Sequence, residues 1–178
     1  MTRTRIRKAR LEDCGELTRI AYASKRHWGY PASLMRLWKS DLTVTPATIS
    51  SQEVYCAVRG STVVGFYSLS GTRKTRALEH MWVRPGQIGS GVGRSLFTHL
   101  RKHLEAKDIT RLFIASDPNA EGFYRRMGAR RAGKVPSKPA GRYLPRLVLH
   151  LRPAQHPHKR SASIVARCSR TRARRLSS

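Results

Sequence analysis

The strongest constraint on the fold of this chain is a glycine-rich segment at residues 83–94, VRPGQIGSGVGR, which lies between two different hydrophobic patterns. Residues 77–83 predict a strand, and residues 96–104 carry apolar side chains at the spacing of a helix. Three glycines at alternate positions let the backbone approach a ligand closely, because they carry no Cβ. The following helix offers unpaired N–H groups and the positive end of its dipole. The segment therefore predicts an anion site suited to a phosphate group.

Two common phosphate-binding motifs do not fit this segment. No Gly-Lys-Ser/Thr follows the glycines, as a P-loop requires. The G-x-G-x-G spacing lacks the third glycine position of the dinucleotide fingerprint, and the strands upstream predict a hairpin rather than a βαβ unit. Taken alone, the glycines also fit a flexible turn or a close packing contact.

The hydrophobic pattern predicts one mixed α/β domain, residues 1–151, with the element order β-αα-βββ-α-β-α-β. Asp13 precedes the first helix and is a candidate for its N-cap. Residues 43–51 are rich in Thr and Ser, and residues 133–142 hold Gly, Pro and Lys, so both predict loops. Strands are predicted at residues 6–9, 54–58, 62–69, 77–83, 112–115 and 143–151, and helices at 12–24, 34–38, 96–106 and 120–127.

The charge of the chain is unevenly distributed. The formal net charge is +26, and all 10 acidic residues lie between Glu12 and Glu121. Residues 152–178 are basic, carry no acidic side chain and show no apolar periodicity, so they predict a disordered tail. Such a tail binds nucleic acid weakly, serves as a targeting segment or has no specific role, and the sequence leaves these alternatives open.

Several protein classes are excluded by the pattern. No apolar run approaches the ~20 residues that span a bilayer, and the basic N-terminus lacks the apolar core of a secretory signal. The 3 cysteines are widely spaced, which fits a reducing compartment, so a cytoplasmic protein is expected. No CxxC, HExxH or His/Cys cluster predicts a metal site, and His156 and His158 in the tail lack further ligands.

Two segments together resemble a known family. The run Val83-Arg84-Pro85, followed by the glycines, resembles motif A of the GNAT superfamily, the acetyl-CoA-dependent N-acetyltransferases. Residues 117–129, DPNAEGFYRRMGA, resemble that family's Asn-x-x-Ala/Gly-x-x-Phe-Tyr-x-x-x-Gly-Phe signature. Ile88 departs from the usual Arg/Gln, and Ala129 replaces the common Phe. The resemblance covers residues 4–151, and residues 25–30, KRHWGY, are similar to a stretch shared by small bacterial members of unassigned substrate.

The resemblance implies a single-domain fold with a central mixed, mostly antiparallel β-sheet whose central strands splay apart and are flanked by helices. It implies acetyl-CoA as co-substrate and direct attack of a primary amine on the thioester. The pantetheine arm is expected on Met81, Trp82, Val83 and Asn119, and the pyrophosphate on Ile88, Gly89, Ser90, Gly91, Val92, Gly93 and Arg94. Asn119 also fits a helix N-cap, and Arg94 a solvated helix start.

The resemblance further implies Glu79 as the base, directly or through a water, and Tyr124 as the acid for the thiolate. On a regular strand residues 77, 79, 81 and 83 share one face, so His80 is expected to face away. Pairing of Glu79 with an arginine and simple packing of Tyr124 remain the alternatives.

The acceptor site is expected at His27, Trp28 and Tyr30, which fall where the family's paired helices cover the acceptor. The acceptor is a small molecule or a protein amine, and homodimers are frequent in the family. Cys56 is expected to be a buried cysteine rather than a nucleophile. The alternative function is an inactive acetyltransferase fold that associates with nucleic acid through its basic ends.

Overall fold

A seven-stranded sheet organises the computed structural model, which describes residues 3–72 and 74–152. The strand order is β1-β2-β3-β4-β5-β7-β6, and every neighbouring pair is antiparallel except β4 and β5, which are parallel. The strands are β1 (Arg5–Lys8), β2 (Glu53–Arg59), β3 (Thr62–Ser70), β4 (Thr75–Val83), β5 (Arg111–Ala115), β6 (Arg130–Ser137) and β7 (Arg142–His150). The predicted mixed, mostly antiparallel sheet is confirmed.

Six helices flank the sheet in the described ranges. They are α1 (Cys14–His27), α2 (Ala32–Leu37), α3 (Lys39–Leu42), α4 (Pro46–Ser51), α5 (Val92–Glu105) and α6 (Glu121–Arg126). The predicted first, second, third and fourth helices correspond to α1, α2, α5 and α6. Asp13 does not cap α1 as expected, because its carboxylate instead accepts hydrogen bonds from the Arg10 N–H and from the Arg7 guanidinium.

Two segments for which the sequence predicted loops contain regular secondary structure. Residues 46–51 form α4 because Thr45 caps the first turn with its hydroxyl and Pro46 has the φ that a first helical position needs. Residues 130–137 form β6 despite Gly133 and Pro136. An edge strand tolerates a proline, and the register shift between Arg131 and Lys134 accommodates the glycine.

Each face of the sheet has its own apolar core. The first core packs α5 and α6 against β3, β4, β5 and β7, with Phe97, Leu100, Leu112 and Leu147 fully buried. The second packs the helices of residues 14–51 against β2 and β3, and on β4 its member is Trp82. Burying apolar side chains stabilises the fold by about 25 cal/mol per Å².

None of the helices described here has the length and apolarity to cross a bilayer. Residues 153–178 lie outside the described residues, and so do the tail prediction, His156, His158 and Cys168.

Candidate active site

The sheet opens between its two central parallel strands. Only residues Thr75–Leu78 of β4 pair with β5, where their partners are Arg111–Ile114. Beyond that point β4 continues to Val83 while it remains paired with β3, and β5 remains paired with β7. The β5-facing backbone groups of residues 79–83 therefore have no strand partner. This cleft is the splay that the family resemblance implied, and its exposed strand edge is able to pair with an extended ligand.

Glu79 lies at a β-bulge where the cleft begins. Leu78 and His80 oppose consecutive residues of β3, so Glu79 between them is the extra, unpaired residue. Its side chain is exposed, and its carboxylate accepts a hydrogen bond from the Ser70 hydroxyl. Among the described residues this carboxylate has no ion pair with an arginine.

The bulge makes the predicted alternation of β4 wrong. Residues 77, 79, 81 and 83 do not share one face, because Leu78 packs in the first core together with Met81 and Val83. Trp82 packs against the second core. An inserted residue reverses the alternation after it, and no local sequence signal marked the insertion.

His80 is a packed side chain beside this bulge. Burial lowers the pKa of His80, so the ring is neutral near neutral pH. The Trp82 Nε1–H donates to His80 Nδ1 at 3.1 Å, which places the ring proton on Nε2. The only lone pair of the neutral ring is thus engaged, which makes His80 a poor proton acceptor.

The glycine-rich segment forms an open loop at the start of α5. Gly89 and Gly91 have φ of 82° and 86°, the left-handed region that favours glycine. A Cβ on either residue would meet no atom within 4 Å, so the space over the loop is free. The first hydrogen bond into α5 is donated by Ser95 to the Gly91 carbonyl at 3.0 Å, which leaves the N–H groups of Val92, Gly93 and Arg94 without an intrahelical partner.

A basic side chain that the sequence analysis did not identify holds this loop in place. Arg59, at the end of β2, donates to Gln87 Oε1 at 2.5 Å and to the Ser90 carbonyl at 3.0 Å. Its Nε donates to the Thr4 hydroxyl at 3.0 Å. Gln87 therefore belongs to the structure of the loop, while Ile88 at the family's usual Arg/Gln position is 42% exposed.

Tyr124 lies under the same loop in an aromatic cluster. Its ring centroid is 5.3 Å from that of Phe123 and 6.0 Å from that of Phe97. Phe123 in turn approaches Gly93, where a Cβ would lie 3.5 Å from its ring. Tyr124 is 6% exposed, and burial raises its pKa, so its hydroxyl stays protonated. That hydroxyl has no hydrogen-bond partner among the described residues.

A buried charged network closes the other side of the cleft, just beyond β5. Lys25 Nζ lies 2.5 Å from Asp117 Oδ2, and the Tyr30 hydroxyl donates to the same oxygen at 3.0 Å. The Asn119 N–H donates to Asp117 Oδ1 at 3.0 Å, so Asp117, not Asn119, caps the turn. The Lys25 ammonium also lies 4.5 Å from the Trp38 ring centroid.

The protonation of this network follows from burial and charge. Burial lowers the pKa of Lys25 and outweighs the attraction of Asp117. Burial also opposes ionisation of Asp117, but the hydrogen bond and charge of Lys25 outweigh it and lower the pKa of that carboxyl. Burial and the Asp117 charge both raise the pKa of Tyr30, which therefore remains a hydrogen-bond donor.

The structure divides the predicted acceptor residues. Tyr30 joins the Asp117 network, whereas His27 and Trp28 are exposed and contact each other at 5.3 Å between ring centroids. Cys56 is fully buried as expected, and burial raises the pKa of its thiol to about 12, which leaves it an unreactive thiol.

Comparisons with known proteins agree with this geometry. The chain matches the model of the acetyltransferase (GNAT) domain over residues 38–140. A search of curated protein sequences gives no significant match.

Solved structures with the same fold are numerous but distant in sequence. The PaiA N-acetyltransferase of Thermoplasma acidophilum, in complex with coenzyme A, is 17% identical with a TM-score of 0.71 over 83% of this chain and 99% of that one. A GCN5-related N-acetyltransferase of Rhodopseudomonas palustris is 23% identical, with a TM-score of 0.70 over 85% and 97%. The ribosomal-protein-S18-alanine N-acetyltransferase of Escherichia coli is 17% identical, with a TM-score of 0.63 over 84% and 95%. By its domain match, its splayed sheet and its glycine loop, this chain belongs to the GNAT family of acetyltransferases.

Proposed function

We propose that the protein is an N-acetyltransferase that moves the acetyl group of acetyl-CoA directly to a primary amine. The observation that carries the proposal is the open loop at the start of α5, where unpaired backbone N–H groups surround a space that no side chain fills. A helix N-terminus with such a loop binds pyrophosphate well. Acetyl-CoA is the co-substrate that this family uses.

The residues present fit acetyl-CoA along its length. The pyrophosphate is placed on the amides of Gly89, Gly91, Val92, Gly93 and Arg94, together with the neighbouring Ile88 and Ser90. The pantetheine arm is placed along the free edge of Met81, Trp82 and Val83, with Asn119 on the opposite wall. The N–H groups of Ile88 and Ser90 donate to the Pro85 and Gln87 carbonyls. The other loop amides and the β5-facing edge of residues 79–83 have no backbone partner among the described residues.

The reaction removes two protons from the acceptor ammonium and supplies one to the leaving thiolate. We assign Glu79, at the bulge where the cleft begins, to accept the proton of the acceptor ammonium, directly or through a water. The free amine then bonds to the thioester carbon, the C–S bond breaks, and the nitrogen releases its second proton to solvent as the amide forms. Tyr124 donates a proton to the departing thiolate and recovers it from solvent. Its raised pKa keeps the donor protonated, and burial equally disfavours the thiolate charge.

The test is CoA release by the full-length protein with acetyl-CoA and a panel of amines that covers amino acids, aminoglycosides and peptide N-termini. We expect turnover with at least one amine and a loss of about 10²-fold in kcat for Glu79→Gln. Glu12→Gln removes an equally exposed carboxylate outside the cleft and is expected to keep full activity. Release of CoA with no amine dependence, or equal activity of Glu79→Gln, contradicts the proposal.

The second reading, an inactive protein that binds nucleic acid through its basic ends, predicts no acetyl-CoA binding by folded protein. It also predicts oligonucleotide affinity that falls steeply with salt. The free space over the glycine loop favours the enzyme.

A further inference from the structure

The second core covers only part of its face of the sheet. The members of that core on the sheet come from β2, β3 and β4, and none comes from β5, β6 or β7. The face of β5, β7 and β6 on the side of α1 and α2 therefore lacks a covering core in the described residues. Arg111, Ala115 and Arg130 on it are exposed, whereas Val148 is buried and Arg142 lies against Tyr30 and Trp38.

The register identifies the side chains on this face. Leu112 and Leu147 point into the first core, so their neighbours along β5 and β7 point to the opposite side. Phe113 pairs with Val148, and Ala115 with Arg146, on that opposite side. The basic side chains there are Arg111, Arg130, Arg142 and Arg146, which we call the cationic face.

The charge of the cationic face is not neutralised within the described residues. β5, β6 and β7 contain no acidic residue, and no member of the face has an ion pair with a carboxylate. Arg146 stacks over Phe113 at 4.5 Å, and Arg142 over Trp38 at 4.8 Å. The Arg142 guanidinium also donates to the Ser137 hydroxyl at 2.9 Å. Stacking fixes the Arg146 guanidinium and leaves its hydrogen-bonding edge free for a carboxylate.

The cationic face borders the acceptor end of the cleft. Ala115 is the last residue of β5, where β4 and β5 have separated, and Arg146 lies beside it on β7. The glycine loop and α5 lie on the other side of the sheet, with the first core. An acyl chain that entered between β4 and β5 from that side would present its thioester to the side of the cationic face.

We propose that the cationic face docks an acidic polypeptide segment, which carries the acceptor amine into the cleft. This inference rests on the proposed acetyl transfer. A peptide supplies both an aliphatic amine and carboxylates, whereas a nucleic acid supplies anions but only weakly nucleophilic base amines. The basic tail of this chain has no acidic side chain and so lacks the charge to cover the face.

The test separates docking from catalysis. Two peptides labelled at the C-terminus carry a free N-terminal amine followed either by aspartates or by asparagines at the same positions. Anisotropy with full-length protein and desulfo-CoA, which holds no acetyl group, measures docking without turnover. We expect the aspartate peptide to bind about ten-fold more tightly, with an advantage that high salt abolishes.

A matched pair of variants locates the site. Replacement of Arg111, Arg130 and Arg146 by Gln is expected to remove the preference for aspartate and to leave acetyl-CoA affinity and melting temperature unchanged. Replacement of Lys8, Arg101 and Lys102 by Gln removes the same charge from exposed positions elsewhere and is expected to keep the preference.

Equal binding of the two peptides by the wild type overturns the docking proposal, whether or not acetyl transfer occurs. Tight binding of an oligouridylate that displaces the aspartate peptide and is lost in the same variant also overturns it and assigns the face to nucleic acid. Docking of the aspartate peptide without CoA release, while another amine of the panel is acetylated, overturns the delivery of the acceptor by the docked segment. Docking with no CoA release from any amine instead contradicts the proposed function and leaves the docking surface standing.

Discussion

Arg59 donates to the side-chain oxygen of Gln87 at 2.5 Å and so ties the end of β2 to the glycine loop. The same guanidinium reaches the Ser90 carbonyl, which lies between the two glycines of positive φ. A loop that binds an anion through its backbone must hold its N–H groups in position before the ligand arrives. Arg59 is therefore a positioning residue of the loop.

Arg59→Met is expected to raise KM for acetyl-CoA about ten-fold, because hydrogen bonds from a charged donor contribute about 1.5–3 kcal/mol. The value of kcat and the KM of the acceptor are expected to stay unchanged, since the cleft itself is intact. Arg19→Met, on the exposed surface of α1, serves as the control in the same steady-state assay. A loss of kcat with unchanged KM for acetyl-CoA contradicts the positioning role.

Lys25→Met is expected to destabilise the fold by about 3–5 kcal/mol, because it leaves the Asp117 carboxylate buried without its cation. Lys138→Met removes a lysine from an exposed pair with Asp41 and is expected to cost less than about 1 kcal/mol. Urea unfolding followed by circular dichroism measures both. An equal decrease in the free energy of unfolding in both variants would mean that the buried pair stabilises the fold no more than the surface pair.

Acid is expected to destabilise the protein through Asp13. The hydrogen bond from Arg7 holds the pKa of Asp13 below its ordinary value of 3.8, although burial opposes this. The folded state thus binds fewer protons than the unfolded state around pH 3.8, so the stabilisation is complete above that pH and is lost as pH falls below it. Asp13→Asn is expected to reduce the fall in melting temperature as the pH is lowered below about 4, measured in a pH series. Asp41→Asn, at an exposed position, is expected to show the same fall in melting temperature with pH as the wild type.

Tyr124→Phe is expected to lower kcat by about 10²-fold while the melting temperature stays the same. The phenylalanine keeps the packing against Phe97 and Phe123, and the lost hydroxyl has no hydrogen-bond partner among the described residues. A substantial fall in melting temperature together with full activity would make Tyr124 a packing residue.

The glycine loop and the motif order could be predicted from the sequence because their determinants are local. Gly89 and Gly91 stand at positions of positive φ, and the apolar spacing of α5 is regular. The loop predicted at residues 43–51 was wrong because the capping pair Thr45 and Thr48 was read as irregular structure.

Long-range contacts could not be predicted. Lys25 and Asp117 are 92 positions apart, and each looks like an ordinary charged residue until the fold buries them together. Arg59 and Gln87 pose the same problem. The bulge at Glu79 depends on the register of β3 against β4, which the sequence of β4 alone does not specify. Sequence reasoning thus predicted the local glycine turn better than the contacts between distant parts of the chain.

Isothermal titration of the full-length protein with acetyl-CoA tests the central claim most directly. Gly91→Glu places a carboxylate in the proposed pyrophosphate site at φ 86°, and Gly141→Glu introduces the same charge at φ 81°, also in open space, on the β6–β7 turn. We predict binding by the wild type and by Gly141→Glu at about micromolar affinity, and no detectable binding by Gly91→Glu. Folded wild-type protein that does not bind acetyl-CoA, or Gly91→Glu that binds as well as the wild type, contradicts the account.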